Sequence, residues 1–449
     1  MWIDSFRVRV QAHPERMAVV IGGRGISYSE LWERCRATGL RAAGDQPGTR
    51  QIVAERDPLE CLERVIGAWI HGKVPVVIAP TMPAETVQQL RRRIAGEPLV
   101  PVRPDQGEAM ILATSGSTDM PKLVAVPHGR FIHTRPVISR WYDLPEETQV
   151  LVAAAMHTAA VLTTTALHGL ASGWTLHLFP AGAPGSVLQA YMNRQGMTVM
   201  NGPPSLFRLF LRYGESGVFP SVRHILVGGE PVPRQVLEQM RAAFPMAKIH
   251  IHYGMTESGA ISMLPIDDPR AYMGGCGVPF EYLETRIAPV QAIPSPAGRL
   301  LLRGPTVCLG YLQDDGTYSG LDEEGFIHTD DLVRPDPDGC LFNLGRMSGL
   351  LKVGGLMVNP QEVQQAMQGI PGVADALCWA EPHPLLGNAI AAQVVLIPGV
   401  PLDERTLRRE CQGRMEKHKV PRTITVVEQL ALTPAGKRSL KPDTAHVDR

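Results

Sequence analysis

The chain has 449 residues, more than one hydrophobic core usually organises, so two or more cores are expected. Its 44 Lys and Arg balance its 44 Asp and Glu, which leaves no overall field to attract nucleic acid or an acidic membrane; recognition must reside in local sites. The seven cysteines (Cys35, Cys61, Cys276, Cys308, Cys340, Cys378, Cys411) are scattered, odd in number and without a CxxC pair, which argues against a disulfide framework or a zinc knuckle and suits a reducing, cytoplasmic setting.

Taken in chain order, the N-terminal run MWIDSFRVRVQAHPER carries charges where a secretory signal needs an apolar core. The run ATSGSTDMPK (113–122) packs hydroxyl residues around one glycine and ends in Pro-Lys. Such a loop can turn backbone N–H groups inward as an anion nest, with hydroxyls and a lysine as further donors. By itself the pattern also fits a solvated turn, and it lacks the Gly-Lys-Ser/Thr of a Walker loop. Residues 150–174 contain no Asp, Glu, Lys or Arg and are long enough to span a bilayer. They nevertheless hold His157, His168, Ser172 and the run Thr163-Thr164-Thr165, lack a basic flank and lead into the alternating TLHLFP, so a buried helix plus strand is expected.

FRLFLRY (207–213) has helical apolar spacing, HILVGG (224–229) is a short apolar strand, RQVLEQMRAAF (234–244) is an amphipathic helix, and KIHIHYG (248–254) is a second strand. This βαβ rhythm implies an α/β fold. Gly- and Pro-rich loops, IAPVQAIPSPAG (287–298) and RPDPDGC (334–340), then precede a C-terminal stretch whose segment 358–382 has its own helix and strand signals, as a small second domain would.

Five segments, in this order, resemble the motifs of the acyl-adenylate-forming enzymes, which include acyl- and aryl-CoA synthetases, stand-alone adenylation enzymes and luciferases. They are ATSGSTDMPKLV, HYGMTESG (252–259), HTDDL (328–332), LGRMSGLLKVGGLMVNPQEV (344–363) and LTPAGKRSLK (432–441), and the resemblance runs from Ile26 to Lys441. It implies a large multi-subdomain N-terminal domain of mixed β-sheets and helices (1–345), a hinge (346–348) and a small, mobile α+β C-terminal domain (349–449).

The resemblance also implies ATP-dependent activation of a carboxylate, an in-line attack on the α-phosphate in which catalysis is mainly positioning and charge neutralisation. Thr114, Ser115, Gly116, Ser117, Thr118 and Lys122 would hold the β- and γ-phosphates. Glu257 would carry Mg²⁺, since a hard cation bridging phosphates prefers one or two carboxylate oxygens plus water. Thr256 would touch the α-phosphate and Tyr253 would lie against adenine. Without the other motifs, Thr256-Glu257 would read equally well as a helix N-cap with an acidic first turn. Asp331 would accept both ribose hydroxyls, beside Asp330 where the family usually has glycine. Arg346 would meet ribose or phosphates at the domain border. Lys437 would bridge the substrate carboxylate and the α-phosphate, making Lys437, Thr256 and Glu257 the catalytic set.

Family members that activate α-amino acids place an aspartate after an aromatic residue in the segment matching AAMHTAAVL (154–162); here His157 and Thr158 stand instead, so an aryl or short acyl acid is expected. The pocket would be formed by His157, Thr158, Val161, Leu162, the segment Val227, Gly228, Gly229 and Glu230, and Gly254 and Met255. After domain rotation about Ser348, a position often Asp or Lys, Gly354 and Gly355 would admit a pantetheine arm, although a double glycine also suits a tight turn. Coenzyme A and the phosphopantetheine of an acyl or peptidyl carrier protein end in the same arm, so both remain as acceptors. Two departures concern the phosphate loop: Asp119, expected to point outward, and Leu123, both replacing glycine. A non-catalytic nucleotide- or acyl-binding module is the alternative, against which stands the retention of Glu257, Asp331, Arg346 and Lys437. The expected partners are a small carboxylic acid and, as one of the two acceptors, a carrier protein, with neither nucleic acid nor a membrane span.

Overall fold

The apolar runs HILVG and KIHIHYGM lie side by side as parallel strands in the computed structural model, which describes residues 1–41, 50–95, 104–114, 120–212, 217–291, 293–428 and 430. They belong to an eight-stranded sheet ordered Gly259–Pro265, Lys248–Met255, His224–Gly228, Val199–Gly202, Gln149–Val152, Thr175–Leu178, Met17–Ile21, Arg24–Ser27. From Lys248–Met255 to Met17–Ile21 every neighbouring pair is parallel. Strands covered on both faces are expected to read as apolar runs, and these do. Helices Pro204–Arg212 and Arg234–Ala243 make successive crossovers between them. The second buries Val236, Leu237, Met240 and Ala243, a single helical face, in a core with Phe207, Phe210 and Phe244. The predicted βαβ rhythm is therefore present.

The expected buried helix of residues 150–174 is present from Ala160 to Ser172 and leads into the strand Thr175–Leu178 of the TLHLFP run, while the start of the stretch forms a strand that was not foreseen. Strand Gln149–Val152 is followed by a π-helical segment, Ala160–Leu167, that continues as α-helix His168–Ser172. Thr163 and Thr165 return their hydroxyls to the carbonyls of Ala159 and Ala160, a local pairing that competes with regular helix. Among the described residues no helix is long and apolar enough to cross a membrane.

A six-stranded sheet (Tyr318–Ser319, Gly310–Leu312, Lys122–Pro127, Glu108–Thr114, Val74–Val77, Arg50–Val53) and a five-stranded sheet (Gly275–Gly277, Leu341–Arg346, Ile327–Pro335, Gly298–Arg303, Glu284–Ala288) complete the N-terminal part. Beyond them, Leu351–Val353, Leu356–Val358, Val373–His383, Gly387–Leu396 and Thr423–Val426 form a fourth sheet. Helices Pro360–Gln368 and Glu404–Arg414 cover it, and Val353, Val363, Met367, Leu407, Cys411 and Ile424 form its own core. The architecture is thus a large unit of mixed sheets and helices followed by a small α+β unit, as expected. All seven cysteines are free and buried.

Five histidines are enclosed in this scaffold. Burial lowers His177, His224, His250 and His252 to about 4 and His168 to about 3. Each stays neutral when folded while its unfolded counterpart protonates below about 6.5, so the unfolded state binds more protons as pH falls. Stability should therefore decline between pH 6.5 and 4, by roughly 1.4 kcal/mol per pH unit for each histidine that stays neutral. Thermal unfolding at pH 7, 6 and 5 checks this; a Tm unchanged over that interval would contradict the buried, neutral assignment.

Candidate active site

Thr256, Glu257 and Ser258 form the turn between strands Lys248–Met255 and Gly259–Pro265. The turn lies at the carboxyl end of the parallel strands, where open α/β sheets form ligand sites. It joins two antiparallel strands and opens no helix, so the N-cap reading of Thr256-Glu257 does not hold.

One side chain fixes this turn. Arg130, 2% exposed, donates from Nη1 to the Thr256 carbonyl (2.6 Å), from Nη2 to the Glu257 carbonyl (2.7 Å) and from Nε to the Thr306 carbonyl (3.0 Å). The Cys308 amide adds a bond of 2.6 Å to the Glu257 carbonyl. Arg130 can reach inward because its helix, Gly129–Tyr142, starts hard against the 304–308 segment: a Cβ at Gly129 would come within 2.3 Å of the Pro305 carbonyl oxygen. Burial lowers the Arg130 pKa to about 10, which still leaves it charged at neutral pH. Sequence reasoning missed this residue, because its partners are backbone atoms far away in the chain.

The turn held in this way brings the three N-terminal sheets together. From the six-stranded sheet, Tyr311 donates its hydroxyl to Glu257 Oε1 at 2.9 Å, and Lys122 Nζ lies 5.0 Å from the centre of the Tyr311 ring, a cation–π distance. Burial and the Glu257 carboxylate push the Tyr311 pKa upward, so this hydroxyl stays a donor. From the five-stranded sheet, Asp331 faces Arg346 in register, with Arg346 Nε 3.8 Å from Asp331 Oδ1. Asp331 is 8% exposed and accepts the Tyr253 hydroxyl at 2.5 Å. Burial raises its pKa, against the pull of Tyr253 and Arg346. One oxygen of the predicted ribose ligand is therefore already engaged by the residue expected to lie against adenine.

The loop expected to hold phosphate leaves this centre from paired strand ends, Thr114 opposite Lys122. Ser115, Gly116, Ser117, Thr118 and Asp119 lie outside the described residues, as does Lys437. Leu123, which replaces a family glycine, is fully buried in a small core with Ile111 and Leu312. Two further departures meet each other: Asp330 accepts the Ser348 amide at 3.0 Å and the Ser348 hydroxyl at 2.5 Å, fastening the single turn Met347–Gly349 to the neighbouring strand.

Near the predicted acyl pocket, Val161 and Leu162 are buried, His157 is partly exposed, and Thr158 is exposed with its hydroxyl on the Ala155 carbonyl. Gly229 is exposed at φ +82° and Met255 is half-buried at the strand end. Gly228 and Gly254 have a structural reason to lack side chains: Cβ atoms there would come within 2.0 Å of the His252 carbonyl oxygen and 2.5 Å of that of Gly259. Glu230 meets Ser205 at 3.2 Å. Gly354 and Gly355, at φ +57° and +87°, form the two-residue turn of the hairpin Leu351–Val353/Leu356–Val358, which accounts for both glycines.

The profile of the AMP-binding enzyme family matches residues 92–312, and that of the AMP-binding enzyme C-terminal domain matches residues 362–437. A feruloyl-CoA synthase of Amycolatopsis is 29% identical over 478 residues, which span 96% of this chain and 95% of the relative. Among solved structures, ATP-bound MatB of Rhodopseudomonas palustris is similar with a TM-score of 0.85 at 21% identity, over 98% of this chain and 97% of its own. The o-succinylbenzoate-CoA synthetase of Bacillus subtilis, in complex with its acyl-adenylate intermediate, gives 0.81 at 22% identity, over 97% and 96%. These two structural likenesses establish the fold.

Arg130→Met should strand the carbonyls of Thr256 and Thr306, leave that of Glu257 to the Cys308 amide alone, and destabilise the chain by about 3–5 kcal/mol, read by denaturant unfolding. A loss below 1 kcal/mol would mean the turn has other support. Ser348→Ala should speed amide exchange at residues 347–350 roughly fivefold, as expected for one net hydrogen bond of about 1 kcal/mol; unchanged exchange would show that the Asp330 contact restrains nothing.

Proposed function

We propose that this chain, which belongs to the acyl-adenylate-forming superfamily and is an acid–thiol ligase, converts an aryl or short acyl carboxylic acid with ATP into an acyl-adenylate, releasing pyrophosphate, and passes the acyl group to a pantetheine thiol. The observation that carries this reading is the convergence of Glu257, the Lys122–Tyr311 pair and the Tyr253–Asp331 pair, from three different sheets, on one region beside the Thr256–Glu257 turn. Such a set offers an adenosine contact, a cation for phosphate and an acidic ligand in one place.

In this reading Tyr253 covers adenine, and Asp331 binds the ribose diol with the oxygen that Tyr253 leaves available. Lys122 and Arg346 receive phosphate charge together with the loop 114–118. Thr256 orients the α-phosphate. Among the described residues no group of three His, Cys, Asp or Glu could hold a metal ion unaided. A magnesium ion would therefore rest on Glu257, with water and phosphate oxygens completing its shell, and would supply charge neutralisation there. Lys437 is the group proposed to meet the attacking carboxylate. The acid is not an α-amino acid, because no aspartate stands in the 154–162 segment to pair with an ammonium.

We take 1–345 as the body, 346–348 as the hinge and 349–449 as the mobile domain, with Gly354 and Gly355 near the path of the thiol. Coenzyme A is the favoured acceptor, since the feruloyl-CoA synthase matches over nearly its whole length; a carrier protein is the other. Seven free cysteines fit a cytoplasmic location.

ATP/pyrophosphate exchange measured with a panel of carboxylic acids tests the first step, and thioester formation with coenzyme A or carrier proteins tests the second. Glu257→Gln should lower exchange by roughly 10²–10³-fold, the scale set by loss of one transition-state charge contact. Lys437→Ala should abolish exchange while sparing thioester formation from preformed adenylate. Nucleotide binding without exchange for any acid would leave the non-catalytic module as the answer.

A further inference from the structure

Tyr311 has two neighbours of opposite charge and meets them with different parts of its side chain. Its hydroxyl donates to Glu257 Oε1 at 2.9 Å, and the centre of its ring lies 5.0 Å from Lys122 Nζ. Strand register explains the second contact. Lys122–Pro127 and Gly310–Leu312 pair antiparallel with Tyr311 opposite Val124, so Lys122, two residues before Val124, is the diagonal neighbour of Tyr311 on the same face. The ring is also confined from another side: a Cβ at Gly320, which has φ +97°, would come within 2.6 Å of its Cδ2 and 2.7 Å of its Cε2.

The segment that carries Tyr311 grips Glu257 twice. The Cys308 amide binds the Glu257 carbonyl at 2.6 Å, and three residues later the Tyr311 hydroxyl binds its carboxylate. Main chain and side chain of Glu257 are thus both fixed from the short run 308–311. With Oε1 accepting from Tyr311, the carboxylate is held in one orientation and leaves Oε2 to a hard cation.

We infer that Tyr311 is the positioning residue of the magnesium site: its hydroxyl orients the Glu257 carboxylate for the metal, while its ring separately holds Lys122 for phosphate. The inference rests on the reading of Glu257 as the magnesium ligand given above. A ligating carboxylate is itself commonly held by a hydrogen-bond donor behind it, and removing such a donor lowers metal affinity by about 10–100-fold. A cation over an aromatic face contributes less, roughly 2–5-fold at an exposed site, and Lys122 is exposed. The two contributions therefore differ in size and in whether they need the metal.

The test is calorimetric binding of α,β-methylene-ATP, which cannot release pyrophosphate, in EDTA and in saturating Mg²⁺; the ratio of the two affinities is the gain due to metal, read without turnover. Tyr311→Phe, which keeps the ring, should cut that gain roughly tenfold and leave the metal-free affinity within about twofold. Tyr311→Leu should lower the metal-free affinity as well, by roughly threefold. In a Glu257→Gln background, Tyr311→Phe should change the gain by less than about twofold, because the hydroxyl acts through that carboxylate. A gain left intact by Tyr311→Phe, or an equal loss with and without Mg²⁺, overturns the inference, while the exchange panel above tests carboxylate activation independently. A wild-type chain that gains nothing from Mg²⁺ overturns the reading of Glu257 and the inference together.

Discussion

The candidate site depends on one buried cation. Arg130 donates to the carbonyls of Thr256, Glu257 and Thr306, and it thereby ties the tip of the 248–265 hairpin to the segment leading into the 310–312 strand. Removing a guanidinium from water is costly, and the interior offsets that cost only when its donors are met. The geometry is therefore strict: the Glu257 backbone, gripped by both Arg130 and the Cys308 amide, has little freedom, and its carboxylate is directed to the Tyr311 hydroxyl.

From that anchor the other contacts follow sheet by sheet. Tyr311 links Glu257 to the strand that begins at Lys122, and Lys122 marks the end of the hydroxyl-rich loop. Tyr253, three residues before Thr256, reaches across to Asp331 on the five-stranded sheet. Arg346, 73% exposed, stands beside that carboxylate on the paired strand, where a flexible cation remains available to a ligand. The charge pattern alternates between fixed acids and mobile cations, an arrangement suited to a polyanion bound through a metal and met by lysine and arginine at its rim.

Much of this was legible in the sequence, and what was not has a physical reason. The parallel strands and their crossover helices announced themselves because burial on both faces writes continuous apolar runs, and an amphipathic helix writes its own spacing, as in residues 234–243. Glu257, Asp331 and Arg346 were found through ordered motifs, and the structure brings the first two into hydrogen bonds with Tyr311 and Tyr253. Arg130 was invisible because a cation bonded to backbone carbonyls leaves no complementary acid to look for. Asp330 and Ser348 each looked like an isolated departure, yet they are bonded to one another across 18 residues of chain. The double glycine at 354–355 and the glycines at 228 and 254 show the reverse: residues that invite a ligand explanation are already required by a turn or by close backbone approach. The π-helical stretch at 160–167 lay within a segment whose sequence signalled burial but no particular helix type.

Amide hydrogen exchange with and without Mg²⁺ and ATP tests most directly the claim that three sheets form one nucleotide site around the Arg130-held turn. The account predicts joint protection of residues 253–258, 308–311 and 329–331 on nucleotide addition, with the 122–124 strand start among them. Protection confined to a single sheet, or located away from all of these segments, would contradict it.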